Sequence, residues 1–360
     1  MPSSWLAWNL TGSYILDHHS ASQSTPLYDS LGECWLDAWA ERIAPQLVLP
    51  DLAWPGDIVG RVTSDAARLT GLPAGVPVIA GTIDAWSEAV SVGAWNAGDL
   101  MLMYGTTMFL VNTVHERVTY PTPGGTAGVF PGTHCLTGGM ATGGAITAWL
   151  RDLFGSLDYP ELLALAARSE PGANGLLMLP YFVGERTPIA DPLARGVIVG
   201  LTLGHSRGDL YRAALESIGF GVRHNIEAIL DAGGSIDRIV AVGGGAQGGL
   251  WTQIVSDVTG CAQVIPGPDD RRESWRCIPG GVRGQPRGHR RLESERRRST
   301  PSRRVSRPVR QKICALSRAV PGDRRGSSRL GNGLAMTFPR PKSATRAGHI
   351  DFMIAAHRAN

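Results

Sequence analysis

The segment RIVAVGGGAQGGLWTQIVSDVTG, residues 238–260, contains the pattern that decides the fold class. It predicts a strand, a glycine-rich turn at 243–246 and a following helix. A strand that enters a helix through such a turn places bare backbone and a helix N-terminus beside a ligand, which suits a phosphate or a nucleotide. The turn matches neither GxGxxG with a downstream acidic residue nor GxxxxGK[ST], and tight strand–helix packing explains its glycines equally well.

Segments before this unit alternate between strand and helix patterns. The longest predicted helix covers 205–234 and is ended by Gly233 and Gly234. One stripe of this helix is apolar: Leu210, Ala213, Ala214, Ile218, Val222, Ile226, Ile229 and Leu230. Other patterns predict strands at 75–82, 99–107 and 175–182 and a helix at 146–155. Strands mixed with helices in this way predict an α/β fold as far as about Pro266.

Composition separates two parts of the chain. Residues 271–360 carry 23 of the 35 basic and 5 of the 31 acidic side chains, a net charge of +18 against −14 for residues 1–270. The first part contains no lysine, and the second is rich in Arg, Pro, Gly and Ser. The chain has no apolar stretch of membrane-spanning length and no secretory leader pattern. Its five cysteines lack metal-type spacing, which predicts reduced thiols in a cytoplasmic protein.

A lone carboxylate and a polar turn accompany two of the apolar runs. Asp84 lies in a small-residue loop, and the run at 99–107 ends in Gly105-Thr106-Thr107, whose backbone N–H groups and hydroxyls fit a phosphate. In isolation, Asp84 is typical of a turn or cap residue, and the Gly-Thr-Thr turn is typical of an ordinary strand end. Together with the turn at 243–246, they favour one shared cleft.

A series of motifs in this order resembles the FGGY family of carbohydrate kinases, especially its xylulokinase-like and glycerol-kinase-like members. The resemblance extends from about Leu10 to about Pro268. The motifs are LTGSYILDHHSAS, GTIDAWSEAVSVG, YGTT, GGAITAWLRD, GERTPIADPLARGVIVGLT, RAALESIGFGVRHNIEAI and VGGGAQGGLWTQIVSDVTG. It implies an α/β fold of the actin/hexokinase (ribonuclease-H-like) ATPase type, with an incomplete first domain and most of the second.

The resemblance also implies a domain organisation and a reaction. Residues 1–93 would be the end of the sugar-binding domain I, 94–268 the nucleotide-binding domain II, and 269–360 an Arg-rich tail without structure. The reaction would be phosphoryl transfer from ATP to a hydroxyl of a sugar or polyol, xylulose-like, with Mg²⁺ neutralising the phosphates. The sequence does not identify the sugar.

Particular residues take roles from the same resemblance. Asp84 would be the general base, because a carboxylate within hydrogen-bond reach can receive the proton of the attacking hydroxyl. The substrate side is predicted at Asp84 and Ala85, although xylulokinases tend to have Asn after the base, so their sugar contacts do not carry over. The predicted nucleotide contacts are Gly105, Thr106 and Thr107 at the phosphates, Gly144, and Gly244, Gly245, Ala246 and Gly249 at the adenosine. The GERTP segment (184–188) would shape the cleft edge.

Both ends depart from the family pattern. The first phosphate loop, with its magnesium-binding aspartate, and the early sugar-binding residues do not occur in the chain, so no metal ligand is predicted. We also expect exposed apolar surface over residues 1–75. Where the family continues with a small-residue helix, residues 271–281 are RRESWRCIPGG. For one choice of codons, a frame shifted by one base encodes the family continuation, so we expect an out-of-frame tail from about residue 270.

Three interpretations of function follow. The first is a carbohydrate kinase, and the second is a catalytically inactive remnant of one. The third is a protein whose basic tail binds nucleic acid. The tail lacks interleaved aromatic residues and any nucleic-acid-binding signature, so its charge supports only salt-sensitive, non-specific binding. We therefore expect a small-molecule substrate, no specific nucleic acid and no membrane partner. The sequence leaves the oligomeric state open, a homodimer included.

Overall fold

The computed structural model describes residues 1–118, 124–267 and 297–299, the last three by their backbone alone. The α-helices are α1 Pro2–Thr11, α2 His18–Ser22, α3 Asp37–Ile43, α4 Ser64–Thr70, α5 Asp84–Ser91, α6 Gly144–Leu153, α7 Tyr159–Arg168, α8 Arg207–Asp231 and α9 Leu250–Thr259. Short 3₁₀ helices span Ala173–Gly175 and Gly244–Gly248.

The strands of the described residues are short in the first part of the chain and longer in the second. They are β1 Ile15–Asp17, β2 Tyr28–Asp29, β3 Cys34–Trp35, β4 Asp51–Ala53, β5 Ile58–Arg61, β6 Pro77–Ile79, β7 Asp99–Tyr104, β8 Met108–Val114, β9 Gly124–Ala127, β10 His134–Met140, β11 Leu177–Leu179, β12 Val197–Val199, β13 Arg238–Val242, β14 Gln263–Ile265 and β15 Arg297–Ser299.

A seven-stranded sheet organises the second part of the chain. Its strand order is β15-β14-β13-β7-β8-β10-β9. Strand β13 is parallel to both β7 and β14, whereas β8 is antiparallel to β7 and to β10. Strands β7, β10 and β13 therefore run in one direction, and their carboxyl ends lie along the same edge of the sheet. We call this edge the carboxyl edge.

Helices cover both faces of this sheet. On one face, Leu100, Leu102 and Tyr104 of β7 pack with side chains of α6, α7, α8 and α9. On the other face, Met101 packs with Val240 of β13 and with the apolar side of α5. Because both faces are buried, β7 is a continuous apolar run rather than an alternating one, as expected for a central strand.

Helix α8 confirms the strongest sequence prediction. Ser206 and Asp209 form a capping box at its start, in which each side chain bonds the backbone N–H of the other residue. The predicted apolar stripe is buried against the sheet from Ala213 to Ile229. Leu230 is the exception and is 46% exposed, although its neighbour Ile229 is fully buried.

Residues 1–79 form small separate pairs of strands. Strands β1 and β4 are parallel, and β2–β3 and β5–β6 are antiparallel pairs. The buried apolar cluster of this region consists of Ala7, Ile15, Ala53 and Ala80. Most of the exposed large apolar side chains of the described residues lie here, including Trp5, Trp8 and Leu69. The expected exposure of apolar surface over residues 1–75 is observed.

Most predicted elements are present, with one correction near Asp84. The strands predicted at 75–82, 99–107 and 175–182 correspond to β6, β7 and β11, and the predicted helix at 146–155 corresponds to α6. Asp84 is not in a loop: it is the first residue of α5. The prediction of an unstructured tail falls outside the described residues, except at Arg297–Ser299, which form the edge strand β15.

Candidate active site

The turn Gly105–Thr107 joins β7 to β8 at the carboxyl edge. Its conformation is closed by a hydrogen bond from the Gly105 N–H to the Thr107 carbonyl, at 3.1 Å. The side chains of Thr106 and Thr107 are exposed. The backbone N–H groups and hydroxyls of Thr106 and Thr107, at an exposed turn, suit an anionic ligand such as a phosphate.

The start of α6 holds this turn in place. The N–H groups of Gly143 and Ala145 both donate to the Thr106 carbonyl, at 2.9 and 3.0 Å, and the Gly144 N–H donates to the Gly105 carbonyl at 2.8 Å. A Cβ atom on Gly144 would lie 2.7 Å from the Gly105 carbonyl oxygen, so glycine permits this close approach. The structure therefore places Gly144 against the Gly105–Thr107 turn. Its nucleotide contact stays a prediction.

The glycine turn after β13 lies beside the turn after β7. Met103 pairs with Val242 just before the two turns. Gly243 has a φ of 92°, and a Cβ atom on it would lie 2.6 Å from the Tyr104 carbonyl oxygen. Both observations show that the two turns are neighbours at the carboxyl edge. This is where ligands bind in open α/β sheets.

The predicted adenosine residues divide into two kinds. Gly244 and Gly249 are exposed, and nothing lies within 4 Å of a Cβ atom built on either one. Gly245 packs against the Trp251 ring, where a Cβ atom would lie 2.6 Å away, and Ala246 is 1% exposed. Gly244 and Gly249 therefore border open space, whereas Gly245 and Ala246 fix the turn by packing.

The orientation of α5 places Asp84 at the same edge. The guanidinium of Arg238, at the start of β13, donates to Asp99 at the start of β7 and to the Gly93 carbonyl just beyond α5. The C-terminal end of α5 thus lies beside the amino ends of β7 and β13. The N-terminus of α5 therefore points to the carboxyl edge. The rings of Trp86 and Phe109 have centroids 5.8 Å apart, which places the start of α5 beside the start of β8.

Asp84 and Ala85 face different surroundings. Asp84 is exposed, accepts the Ala85 N–H at 2.8 Å, and takes part in none of the ion pairs found among the described residues. It is therefore accessible to a substrate hydroxyl. Ala85 is 8% exposed, and its methyl packs in the cluster between α5 and the sheet. The side chain of Ala85 therefore packs toward the sheet, and the predicted substrate contact at Ala85 stays a prediction.

Asp17 was not predicted as a site residue, yet it fixes the segment before Asp84. Its carboxylate accepts the Thr82 hydroxyl at 2.8 Å and the Ser20 N–H at 3.1 Å. It is 1% exposed. The signal in the sequence is an aspartate that follows the apolar run SYIL and begins α2, but its partner Thr82 is distant in sequence. Asp17 therefore fixes the position of the chain two residues before Asp84.

His19 connects α2 to both α5 and the sheet. Its ring stacks on Trp86 with a centroid separation of 3.7 Å, and its Nδ1 lies 2.8 Å from the Ala127 carbonyl at the end of β9. Burial lowers the pKa of His19, so the ring is neutral near pH 7. A neutral ring that donates from Nδ1 can accept the Gln23 amide at Nε2, where the distance is 2.9 Å.

The GERTP segment packs against the end of β10. The Glu185 carboxylate accepts the Ala141 N–H at 2.7 Å, and an Arg186 guanidinium N–H donates to the Met140 carbonyl at 2.9 Å. Met140 ends β10, and Ala141 follows it in the short connection to α6. The segment therefore borders the candidate site on the side of the Gly105–Thr107 turn where α6 begins.

Neither a metal-binding cluster of side chains nor a membrane-spanning helix occurs within the described ranges. No three or more His, Cys, Asp or Glu side chains of residues 1–118 and 124–267 form a group that could hold a metal ion. In the same residues, no helix has the length and apolar character that crossing a membrane requires. Cys34, Cys135 and Cys261 are free thiols, and Cys277 and Cys314 lie outside the described residues.

Comparisons with known proteins give the family. The model of the C-terminal domain of the FGGY family of carbohydrate kinases matches residues 100–273, and the model of the N-terminal domain matches residues 1–91. The chain is 30% identical to a xylulose kinase of Staphylococcus epidermidis over 263 residues, and 30% identical to a glycerol kinase of Alkalilimnicola ehrlichii over 277 residues. These alignments cover 72% and 73% of the chain but 52% and 54% of the relatives.

Solved structures agree with this assignment. The crystal structure of xylulose kinase from Rhodospirillum rubrum superposes with a TM-score of 0.69 at 30% identity, covering 78% of this chain and 59% of that one. The chain spans about half the length of the curated relatives it matches. The fold is the expected α/β fold of the actin/hexokinase type. On these grounds the chain belongs to the FGGY family of carbohydrate kinases.

Proposed function

We propose that this chain carries the catalytic base and the nucleotide site of an ATP-dependent carbohydrate kinase. The observation that supports the proposal is the arrangement at the carboxyl edge, where the start of α5 lies with the turns after β7 and β13. An accessible carboxylate, a phosphate-sized polar turn and an open glycine turn are what phosphoryl transfer from a nucleotide to a hydroxyl requires.

Each part has a separate task in the proposed reaction. Asp84 accepts the proton of the substrate hydroxyl while that oxygen forms a bond to the γ-phosphorus of ATP. The bond between the γ-phosphorus and the β–γ bridging oxygen breaks, and ADP leaves. Thr106 and Thr107 donate hydrogen bonds to phosphate oxygens, and the open side of Gly244 and Gly249 accommodates the adenosine.

Mg²⁺ fits this site as a companion of the nucleotide. When bound, it supplies positive charge that neutralises the phosphate oxygens. The phosphate oxygens of the nucleotide, placed near Thr106 and Thr107, would hold the ion.

The proposed acceptor is a sugar or polyol of the xylulose or glycerol type. Relatives named xylulose kinase and glycerol kinase are about equally similar to this chain, at 28–30% identity. The buried methyl of Ala85 provides no polar group for selecting among acceptors. We place the activity in the cytoplasm, where ATP and reduced thiols coexist. Sedimentation of the purified protein tests whether it is a homodimer.

The test compares two aspartates at the same helix position. Asp84 and Asp37 are both exposed and are the first residues of α5 and α3. ADP release is measured with ATP, Mg²⁺ and either D-xylulose or glycerol. We expect Asp84→Asn to slow transfer by about 10²–10⁴-fold, with ATP affinity unchanged, because it removes only the proton acceptor. Asp37→Asn is expected to match the unchanged protein.

Three results would decide against the proposal or part of it. Transfer by Asp84→Asn at the rate of the unchanged protein would exclude Asp84 as the base. ATP binding without transfer to any acceptor would instead support the inactive-remnant interpretation of this chain. A purified protein that binds no ATP would refute the nucleotide site itself.

A further inference from the structure

The GERTP segment (184–188) borders β10 beyond the described part of the edge strand β9. Strand β9 pairs with β10 only as far as Thr137. Beyond that point, the Gly139 N–H donates to the Thr187 hydroxyl oxygen, and the Thr187 N–H donates to the Gly139 carbonyl at 3.1 Å. At Gly139, this segment thus covers the edge of β10.

Glu185 holds the residues that follow β10. It is 5% exposed, and one carboxylate oxygen accepts the N–H groups of Ala141 and Arg186, each at 2.7 Å. Burial raises the pKa of Glu185 above its ordinary value. Burying a carboxyl group costs free energy, and two backbone hydrogen bonds offset part of that cost. The Glu185 carboxylate thereby provides a hydrogen-bond acceptor for the partly buried Ala141 N–H.

A short stretch of backbone connects Ala141 to the Gly105–Thr107 turn. Gly143 lies two residues further on, and its N–H bonds the Thr106 carbonyl at 2.9 Å. A Cβ atom on Gly143 would lie 2.9 Å from Met108, so the backbone has no slack there. This connection is short and closely packed. A displacement of Ala141 therefore also displaces Gly143, whose N–H bonds the Thr106 carbonyl.

We propose that Glu185 is a positioning residue for the phosphate turn Gly105–Thr107. It acts through the Ala141 N–H and the start of α6, without touching the nucleotide. This inference rests on the proposed function only where it concerns ATP affinity. The geometric part, that Glu185 fixes the Gly105–Thr107 turn, stands independently of catalysis.

Three variants separate positioning from general stability. Glu185→Met fills the same space without an acceptor, and Glu185→Gln keeps an oxygen that can accept both amides. Asp99→Leu is the matched control. Asp99 is also a buried carboxylate, 5% exposed, that accepts a backbone N–H, from Asn96 at 3.0 Å. It also pairs with Arg238, at the amino ends of β7 and β13 and away from the Gly105–Thr107 turn.

The first readout is the dissociation constant of ATP, measured by titration calorimetry at a temperature where all variants are folded. We expect Glu185→Met to weaken ATP binding by about tenfold, the equivalent of one lost hydrogen bond. Glu185→Gln should restore binding to within about twofold of the unchanged protein, a difference smaller than one hydrogen bond. Asp99→Leu should lower thermal stability and leave ATP affinity unchanged.

The second readout is amide hydrogen exchange over residues 105–107 and 141–145, without nucleotide. Glu185→Met should accelerate exchange in both segments, and Asp99→Leu should not. Unchanged exchange in Glu185→Met, or equal acceleration by Asp99→Leu, would overturn the inference. If the unchanged protein binds no ATP, the proposed function fails, and the exchange result still decides whether Glu185 positions the turn.

Discussion

The two parts of the structure bury their apolar residues very differently. Residues 84–265 surround a central sheet whose two faces are covered by helices. Residues 1–79 contain only two-stranded pairs among their described strands, and their buried apolar cluster, completed by Ala80, consists of three alanines and one isoleucine. Isolated strand pairs are marginally stable, whereas a sheet covered on both faces is a self-sufficient core. The difference indicates that the sheet supports the candidate site and that residues 1–79 depend on it.

The proposed base lies where these two parts meet. From one side, Asp17 holds Thr82 just before Asp84. From the other side, Trp86 packs into the cluster beneath the sheet. The position of Asp84 is therefore set by both parts, and weakening either contact should displace it without unfolding the sheet.

The largest effect is expected from a core leucine compared with an exposed one. Leu102 in β7 is fully buried, whereas Leu69 at the end of α4 is 81% exposed. We expect Leu102→Ala to lower the free energy of unfolding by about 2–5 kcal/mol, because it removes packed methyl groups and leaves a cavity. Leu69→Ala should change it by less than about 0.5 kcal/mol. Urea unfolding followed by fluorescence measures both, and similar losses would contradict the comparison.

A smaller, pH-dependent effect is expected at the junction, from His19. Its pKa in the folded protein lies below the ordinary value of 6.5 because of burial. The unfolded chain therefore binds the proton more readily, so the free energy of unfolding falls as pH drops from about 7 through the range below 6.5.

The variant His19→Gln tests this contribution. Its free energy of unfolding should fall less between pH 7.5 and pH 5 than that of the unchanged protein. The fall should not vanish, since burial also lowers the pKa of His18 and of His134. Urea unfolding at a series of pH values gives the two slopes. Equal slopes would show that His19 is not held neutral by burial.

The smallest effect is expected from an exposed ion pair of the first part. Asp65 and Arg68 approach to 2.9 Å on α4, with side chains 86% and 73% exposed. Asp65→Asn should lower the free energy of unfolding by no more than about 0.5 kcal/mol, because solvent screens such pairs. A thermal unfolding scan measures the change. A larger loss would mean that α4 is more important to the fold than its exposure indicates.

Local patterns in the sequence predicted the elements that carry the site. Helix α8 and the β13–turn–α9 unit follow from apolar periodicity and glycine positions, which depend only on neighbouring residues. The start of α5 at Asp84 was missed because the segment is short and rich in small residues. Leu230 fits the predicted stripe but is 46% exposed, whereas Ile229 beside it is fully buried.

Contacts between distant residues could not be predicted in the same way. Glu185 bonds Ala141 across 44 positions, Asp17 bonds Thr82 across 65, and His19 bonds Ala127 across 108. No periodicity or spacing within a window reports such pairs. They determine how firmly the turn and the base are held, so this part of the site required the structure.

The most direct test of the central claim is a crystal structure of this chain with ADP and Mg²⁺. The account predicts phosphate oxygens within hydrogen-bond distance of Thr106 and Thr107, adenosine along the open side of Gly244 and Gly249, and Asp84 facing the terminal phosphate. A nucleotide bound elsewhere, or one whose phosphates lie away from the Gly105–Thr107 turn, would contradict a single site at the carboxyl edge.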